Sequence, residues 1–327
     1  MPGRVSLGDV ERARATLARY LRPTPLRPSL AAAGADLLLK LECWQPTGSF
    51  KVRGATHFLS TLGDAERRHG VVAASAGNHA LGVAFAVSRF AGTLRATLFL
   101  PRTAPRAKVD KLRRFPVEVR EAGETYDDAV EAARSFERET GATFVPAYED
   151  VRTAAGQGTI GLEILDECPE VAAVLVPVGG GGLIAGLAAA VKARAPDVRV
   201  VAVQPEASPA LRESLRLGRA LLTYPAGPTL ADGLSGGIGE IAFDHRDLVD
   251  EIVTVSEAEI EEAIVALLAA DQVVAEASGA VGVAAVRAGK VASAGRGPVV
   301  AVITGGNIDV AVLARLLRGR GAGGDGA

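Results

Sequence analysis

Between Val171 and Val191 the chain carries no charged side chain, and in the middle of that stretch stand Pro177 and four consecutive glycines, Gly179–Gly182. A run of this length could cross a bilayer as a helix. A proline followed by four glycines, however, breaks the helical hydrogen bonding that a lone span in lipid must keep. The stretch is better read as a buried strand, Ala172–Val178, a glycine turn, and an apolar helix, Gly182–Arg194. A strand covered on both faces and followed by a helix is the repeating unit of a parallel sheet wrapped by helices. This segment therefore points the whole chain toward an α/β architecture.

The remaining sequence repeats the alternation. Continuous or β-branched apolar runs predict strands at Asp36–Glu42, Val71–Ser75, Ala96–Pro101, Val117–Glu121, Thr143–Pro146, Val198–Gln204, Glu251–Val255 and Pro298–Ile303. Helical periodicity fills Phe50–Leu62, Ala80–Phe90, Pro105–Phe115, Tyr126–Thr140, Pro209–Leu217, Glu257–Leu268 and Ala280–Ala288. Ser256 with Glu259 gives one of these helices a capping-box start. With 327 residues there is enough chain for two domains. Mostly parallel, twisted sheets flanked by helices are expected in both. Residues 1–63 and 146–317 are expected to form a large domain and 64–145 a small one inserted in it. The glycine-rich tail 318–327 is expected to be frayed.

Composition removes several function classes. Hydrophobic residues make up 48% of the chain, too much for long disorder. A formal net charge of −2 supplies no global positive field for nucleic acid or an anionic membrane surface. Arg4, Asp9, Glu11 and Arg12 precede any apolar run, so no signal peptide is expected. The two cysteines, Cys43 and Cys168, form no disulfide framework, and the four histidines show no metal-ligand spacing. A cytoplasmic, reducing setting and no metal site are the expectations.

Four short segments at predicted strand ends carry the chemistry. The first is Gln45-Pro46-Thr47-Gly48-Ser49-Phe50-Lys51-Val52-Arg53-Gly54-Ala55. As plain structure it is a turn capped by Ser49 with Lys51 in solvent. A cation at a helix start is nevertheless disfavoured by the helix dipole, and lysine is the residue that forms imines with carbonyl cofactors. The second is Ser75-Ala76-Gly77-Asn78-His79, where small residues before a helix leave N–H groups open for a carboxylate or phosphate. The third is Gly179–Gly182 followed by Leu183, whose successive N–H groups can fold around an anion. The fourth, Thr304-Gly305-Gly306-Asn307, presents a hydroxyl at the end of the last strand.

Two other readings compete. Gly180-x-Gly182-x-x-Ala185, with Glu206 after the next strand, fits a dinucleotide fingerprint and would make the chain an NAD-dependent oxidoreductase. It leaves the lysine and asparagine segments without a role. Gly233-Leu234-Ser235-Gly236-Gly237 fits a hydrolase nucleophile elbow, but His245 follows too closely for the order that such enzymes need.

Taken together, an imine-forming lysine, a phosphate cradle, a carboxylate cradle and a ring-directed hydroxyl are what pyridoxal 5'-phosphate and an amino acid require. From about Pro23 to Arg315 the chain resembles the fold type II pyridoxal-phosphate enzymes, whose fold is that of the tryptophan synthase β chain. Within them it is most similar to the threonine/serine dehydratase and serine racemase group. The resemblance implies that Lys51 holds the cofactor as an imine, Phe50 packs on its ring, and Asn78 meets the ring hydroxyl. It further implies that Gly179, Gly180, Gly181, Gly182 and Leu183 hold the phosphate, that Thr304 faces the pyridine nitrogen, and that Gly233 and Glu276 line the ring. Ser75, Ala76, Gly77, Asn78 and His79 would bind the substrate carboxylate.

The implied reaction is β-elimination from a 3-hydroxy amino acid such as L-threonine or L-serine. Lys51 removes the Cα proton, the β-hydroxyl leaves, and an aminoacrylate-type product hydrolyses to a 2-oxo acid and ammonia. Serine racemase or 3-hydroxyaspartate dehydratase activity on the same scaffold is the alternative. Departures from the pattern matter here. Similar racemases carry a second serine after Ser75, where this chain has Ala76 and no proton donor. Gln204 and Ala210 stand where metal-supported relatives have carboxylates, and Leu81 stands where glutamine is common. The chain ends soon after the last helix, so no isoleucine-sensing domain is expected. A homodimer or larger homo-oligomer is implied by resemblance.

Overall fold

A computed structural model describes residues 3–90, 92, 94–104, 106–291 and 297–321. The strands fall into two sheets. The larger has the spatial order β1 (Leu26–Pro28), β2 (Leu37–Lys40), β10 (Val299–Val302), β7 (Ala173–Pro177), β8 (Arg199–Pro205) and β9 (Glu251–Val255). Only the β1–β2 pair is antiparallel. The smaller sheet is parallel throughout, in the order β5 (Glu118–Glu121), β4 (Ala96–Leu100), β3 (Val71–Ala74) and β6 (Thr143–Phe144). The α/β architecture with parallel sheets flanked by helices is as expected. The charge-free stretch is β7, a glycine turn and a helix, and among the described residues no helix is long and apolar enough to cross a membrane.

The helices run α1 (Leu7–Leu17), α2 (Lys51–Ser60), α3 (Asp64–His69), α4 (Asn78–Arg89), α5 (Arg106–Leu112), α6 (Tyr126–Thr140), α7 (Val151–Glu167), α8 (Gly182–Arg194), α9 (Ala210–Leu217), α10 (Glu240–Asp244), α11 (Glu257–Asp271), α12 (Ala277–Arg287) and α13 (Val310–Gly321). The short strand β1 and the helices α1, α3, α7, α10 and α13 were not expected from periodicity. Helix α7 is the largest omission: Gly156, Gly158 and Gly161 lower its intrinsic helicity. Helix α13 continues past Arg318 to Gly321, so the chain is helical where a frayed tail was expected. Residues 322–327 of that tail lie outside the described residues.

The α7 glycines have a packing role. A Cβ on Gly156 would lie 2.7 Å from the Cα of Gly54 in α2. One on Gly186 in α8 would lie 1.9 Å from the Ala154 carbonyl oxygen of α7. Helices α2 and α8 therefore meet α7 backbone to backbone, and their N-terminal ends carry Lys51 and the tetraglycine turn respectively. The apolar core beneath them is continuous: Val174, Val176, Val200, Ala202, Val300 and Val302 are fully buried under Ile184, Leu187 and Ala188 of α8.

In each sheet the expected ligand crevice is outside the carboxyl ends of two neighbouring strands where the sequential strand order breaks. In the large sheet it lies between β7 and β10, whose ends lead into Gly179 and Thr304. In the small sheet it lies between β3 and β6, whose ends lead into Ser75 and the segment Pro146–Asp150.

The close helix packing is testable. Gly186→Ala is expected to lower stability by about 1–3 kcal/mol, the cost of overpacking a tight contact. Gly8→Ala on α1, where the nearest atom is 3.4 Å away, is expected to be neutral or stabilising. Urea midpoints of the two variants check the contrast.

Candidate active site

Lys51 is the first residue of α2, and the chain enters it along the loop that follows β10. Ser49 bridges to Gly305, the Phe50 N–H donates to the Thr304 carbonyl at 3.0 Å, and the Gly306 N–H donates to Gly48 at 2.9 Å. Ser49 makes no cap to the helix; its buried hydroxyl has no hydrogen-bond partner. Lys51 is not a solvated lysine. Its half-buried side chain donates from Nζ to the Ala147 carbonyl at 3.0 Å, and Nζ lies 5.2 Å from the centre of the Phe50 ring. Burial pulls the amine down from 10.5 to about 8, with Glu276 pulling weakly the other way. An amine near 8 is partly unprotonated at neutral pH, as imine chemistry requires.

What holds α2 in place is Arg53, two residues on. Its guanidinium is buried and forks onto two carboxylates, Glu42 at 2.7 Å and Glu163 at 2.6 Å. Thr24 donates to Glu42, Thr159 accepts from Arg53 at 3.0 Å, and Lys40 pairs with Glu163 at 2.8 Å. Burial alone would lower the Arg53 pKa, but Glu42 and Glu163 outweigh it and raise it.

Gly181 is the N-cap of α8 at φ +97°, a left-handed conformation suited to glycine. Cβ atoms on its neighbours would strike other atoms: at Gly180 the Tyr148 ring at 2.4 Å, at Gly179 the Gly233 carbonyl at 2.5 Å. The first N–H groups of α8, at Gly182 and Leu183, have no partner inside the helix and lie at its positive end. A turn stripped of Cβ atoms at such a helix start fits a phosphate.

The turn after β3 divides its residues. Asn78 does not cap its own helix; the cap position is Gly77. Its amide instead donates to Glu276 at 2.7 Å and accepts from Asn307 at 2.8 Å. Gly77 faces open space, and the Ser75 hydroxyl accepts from the Gly77 N–H at 3.1 Å. Ala76 is half-buried. The His79 ring is buried and turned away, with Nε2 on the Val145 carbonyl at 2.9 Å. Burial and the neighbouring Lys51 charge drop its pKa to about 4, so the ring is neutral. Only the main-chain N–H of His79 remains for a substrate carboxylate.

Thr304 is buried, and its hydroxyl contacts the Ser278 carbonyl at 3.4 Å. The Gly233 N–H donates to the Ser278 hydroxyl at 3.1 Å. Glu276 is the N-cap residue of α12, with its N–H on the Gly305 carbonyl. Lys51, Phe50, Asn78, Gly179–Gly182, Gly233, Glu276 and Thr304 are thus joined by direct contacts or through one intervening residue. Four contributors escaped the sequence reading: Ala147, Tyr148, Ser278 and the specific role of Asn307. The first two lie between β6 and α7, and recognising α7 would have marked that segment as another strand-to-helix turn.

The competing motifs are spent elsewhere. His245 is buried, its Nε2 taken by the Val5 N–H and its Nδ1 by the Ile241 carbonyl, so it cannot serve Ser235. Glu206, the expected ribose ligand, faces Lys290 at 3.5 Å. The Gln204 amide accepts from the N–H groups of Leu211 and Arg212 and donates to Val178. Among the described residues no cluster of three or more metal-ligating side chains is present.

A half-buried lysine at a helix start, linked through the Ala147–Tyr148 segment to a glycine turn at the start of another helix, suits a phosphorylated carbonyl cofactor. The chain belongs to the pyridoxal-phosphate dependent enzyme family, whose model matches residues 17–305, and pyridoxal phosphate is its cofactor. It is 45% identical to an L-threonine ammonia-lyase of Thermotoga maritima over 96% of this chain and 78% of that protein. It superposes on maize serine racemase with a TM-score of 0.90 and 32% identity, covering 98% of this chain and 99% of the other. A threonine deaminase from Solanum lycopersicum gives a TM-score of 0.89 at 30% identity, covering 98% and 91%.

The amine at position 51 yields a pH prediction. Colour development on adding pyridoxal phosphate to the cofactor-free protein should accelerate as pH rises through about 8. Glu276→Gln removes the charge that supports the ammonium form, so the midpoint should move lower. An unchanged or higher midpoint would contradict the assignment.

Proposed function

We propose that this protein is an ammonia-lyase that converts a 3-hydroxy amino acid, L-threonine or L-serine, to the corresponding 2-oxo acid and ammonia. The observation that carries this reading is the Lys51 amine, drawn out of bulk solvent onto the Ala147 carbonyl beside Tyr148, whose ring covers Gly180, and lowered to about 8. The similarity to threonine ammonia-lyases supports the substrate class.

In this reading residues 1–63 and 146–317 form the cofactor-binding domain, and 64–145 a smaller domain carrying the carboxylate turn. Gly179–Gly182 and Leu183 hold the phosphate by main-chain N–H groups. Phe50, Gly233 and Glu276 would border the cofactor ring, with Asn78 available to donate to its oxygen and the Thr304 hydroxyl available to its nitrogen. Main-chain groups at Ser75–His79 bind the substrate carboxylate at the start of α4. The bound cofactor supplies an electron sink for the charge left at Cα. Lys51 takes the Cα proton, the C–O bond to the β-hydroxyl breaks with its electron pair going to oxygen, which takes up a proton and leaves as water, and hydrolysis of the released product then consumes one water and frees ammonia. A neutral hydroxyl at 304 does not hold the ring nitrogen protonated as a carboxylate would, which suits elimination. The family leaves the Gly180 fingerprint a phosphate rather than a dinucleotide to bind.

Ala76 presents only a methyl group where similar racemases carry a serine, so racemisation is not part of this reading. Gln204 is spent on capping α9, so no divalent-metal requirement is proposed. Cys43 and Cys168 are buried, with thiols pushed up to about 12 and about 11 by burial, in keeping with a reducing, cytoplasmic setting. Self-association as a homodimer or larger is also part of the proposal, and sedimentation at micromolar concentration tests it.

The holoenzyme should release 2-oxo acid and ammonia in equal amounts from L-threonine or L-serine. Lys51→Ala should reduce turnover by at least about 10²–10⁴-fold, the range for a lost general base. D-Serine should not accumulate from L-serine. Failure on every 3-hydroxy amino acid in a substrate panel would sink the assignment, and efficient racemisation would favour the alternative.

A further inference from the structure

Asn307 has no role in the proposed reaction, yet its amide joins three separate segments. One Nδ2 hydrogen goes to the Thr47 carbonyl at 2.9 Å and the other to Oδ1 of Asn78 at 2.8 Å. Its own Oδ1 accepts from Lys111 Nζ at 3.3 Å. The seat is tight: Gly48 has φ +74°, and a Cβ there would lie 2.8 Å from the Asn307 oxygen.

Amide orientation is normally ambiguous, because O and N ends look alike. Here two groups of fixed polarity remove the ambiguity. The Thr47 carbonyl can only accept, and the Lys111 ammonium can only donate. Asn307 must therefore turn its NH₂ toward Thr47, and so toward Asn78. Asn78 must then answer with its oxygen and send its NH₂ the opposite way, where Glu276 accepts one hydrogen at 2.7 Å. Turning Asn78 over would set two donors against each other on one side and two acceptors on the other.

We infer that Asn307 is a positioning residue that sets the polarity of Asn78, so that Asn78 offers the cofactor ring oxygen an N–H and never a carbonyl. The inference rests on the pyridoxal-phosphate reading of the site. Its chemical consequence is specific. A donor beside the ring oxygen favours the oxygen anion and the yellow form of the Lys51-bound cofactor. An acceptor there favours the protonated oxygen and the near-ultraviolet form.

The test is the absorption spectrum of holoenzyme variants at fixed pH, with pyridoxal-phosphate affinity measured beside it. Asn307→Asp sets a carboxylate against the Asn78 oxygen and should turn the amide over. The ratio of yellow to near-ultraviolet absorbance should drop about fivefold, the worth of one hydrogen bond, and approach that of Asn78→Ala. Asn307→Ala, which frees the amide without reversing it, should fall between. The double variant Asn307→Ala/Asn78→Ala should be no worse than Asn78→Ala alone, and it answers the question should the aspartate variant fail to fold. A yellow wild type whose spectrum is unmoved in the Asn307 variants, or additive losses in the double variant, would overturn the positioning role alone. A wild type that never turns yellow would overturn the cofactor reading and this inference with it.

Discussion

The site depends on a buried ion-pair cluster that never touches it. Arg53 sits two residues after Lys51, and its guanidinium is fixed between Glu42, just past β2, and Glu163, in α7. Lys40 supplies the balancing positive charge on Glu163, so two cations and two carboxylates are buried together. Such a cluster is weak evidence for stability, because desolvation takes back much of what the charges gain. Removing one partner is another matter, costing about 3–5 kcal/mol through the charge left behind. Its value here is directional: a planar fork held on both sides fixes the rotation of α2. That rotation decides whether the residue at position 51 faces the cleft.

The same helix is held on its other side by glycine. Gly54 meets Gly156, and Gly186 meets Ala154, so α2, α7 and α8 form a close-packed slab. One flank of that slab, α2, carries Lys51 and the other, α8, the glycine turn proposed to hold the phosphate, both at first turns that meet the same stretch of α7. Both are thus mounted on rigid elements, while the Ser75–His79 turn, proposed to bind the substrate carboxylate, follows β3 of the smaller sheet. The segment from Ala147 to Tyr148 joins the parts: its first carbonyl accepts from Lys51, and its tyrosine ring covers Gly180. A cofactor held by lysine and phosphate would span a distance set by backbone packing rather than by flexible side chains.

Much of this was legible in the sequence because it is local. Val174-Leu175-Val176 and Val299-Val300-Ala301-Val302 read as buried strands since both faces are covered, and the Ser256–Glu259 capping box is present as expected. The four motif segments lie at strand ends, where α/β sheets bind ligands. What stayed hidden depends on partners far away in the chain. Helix α7 looked like a poor helix, because the glycines that weaken it alone are the ones that let two other helices approach. Arg53 reads as an ordinary basic residue until Glu42 and Glu163 are beside it. Asn307 and Ser278 act through Asn78 and Gly233, 229 and 45 residues distant. The His79 ring failed as a ligand candidate for a related reason: the Val145 carbonyl that occupies it arrives from β6.

The proposed chemistry requires a covalent bond between the amine of position 51 and the cofactor aldehyde. Borohydride reduction of the purified holoenzyme, followed by proteolysis and mass analysis of the peptides, tests that bond directly. A pyridoxyl-phosphate adduct on the peptide containing Lys51, and on no other lysine in stoichiometric amount, is the predicted result. Label on a different lysine, or a protein that releases its cofactor unreduced, would contradict it.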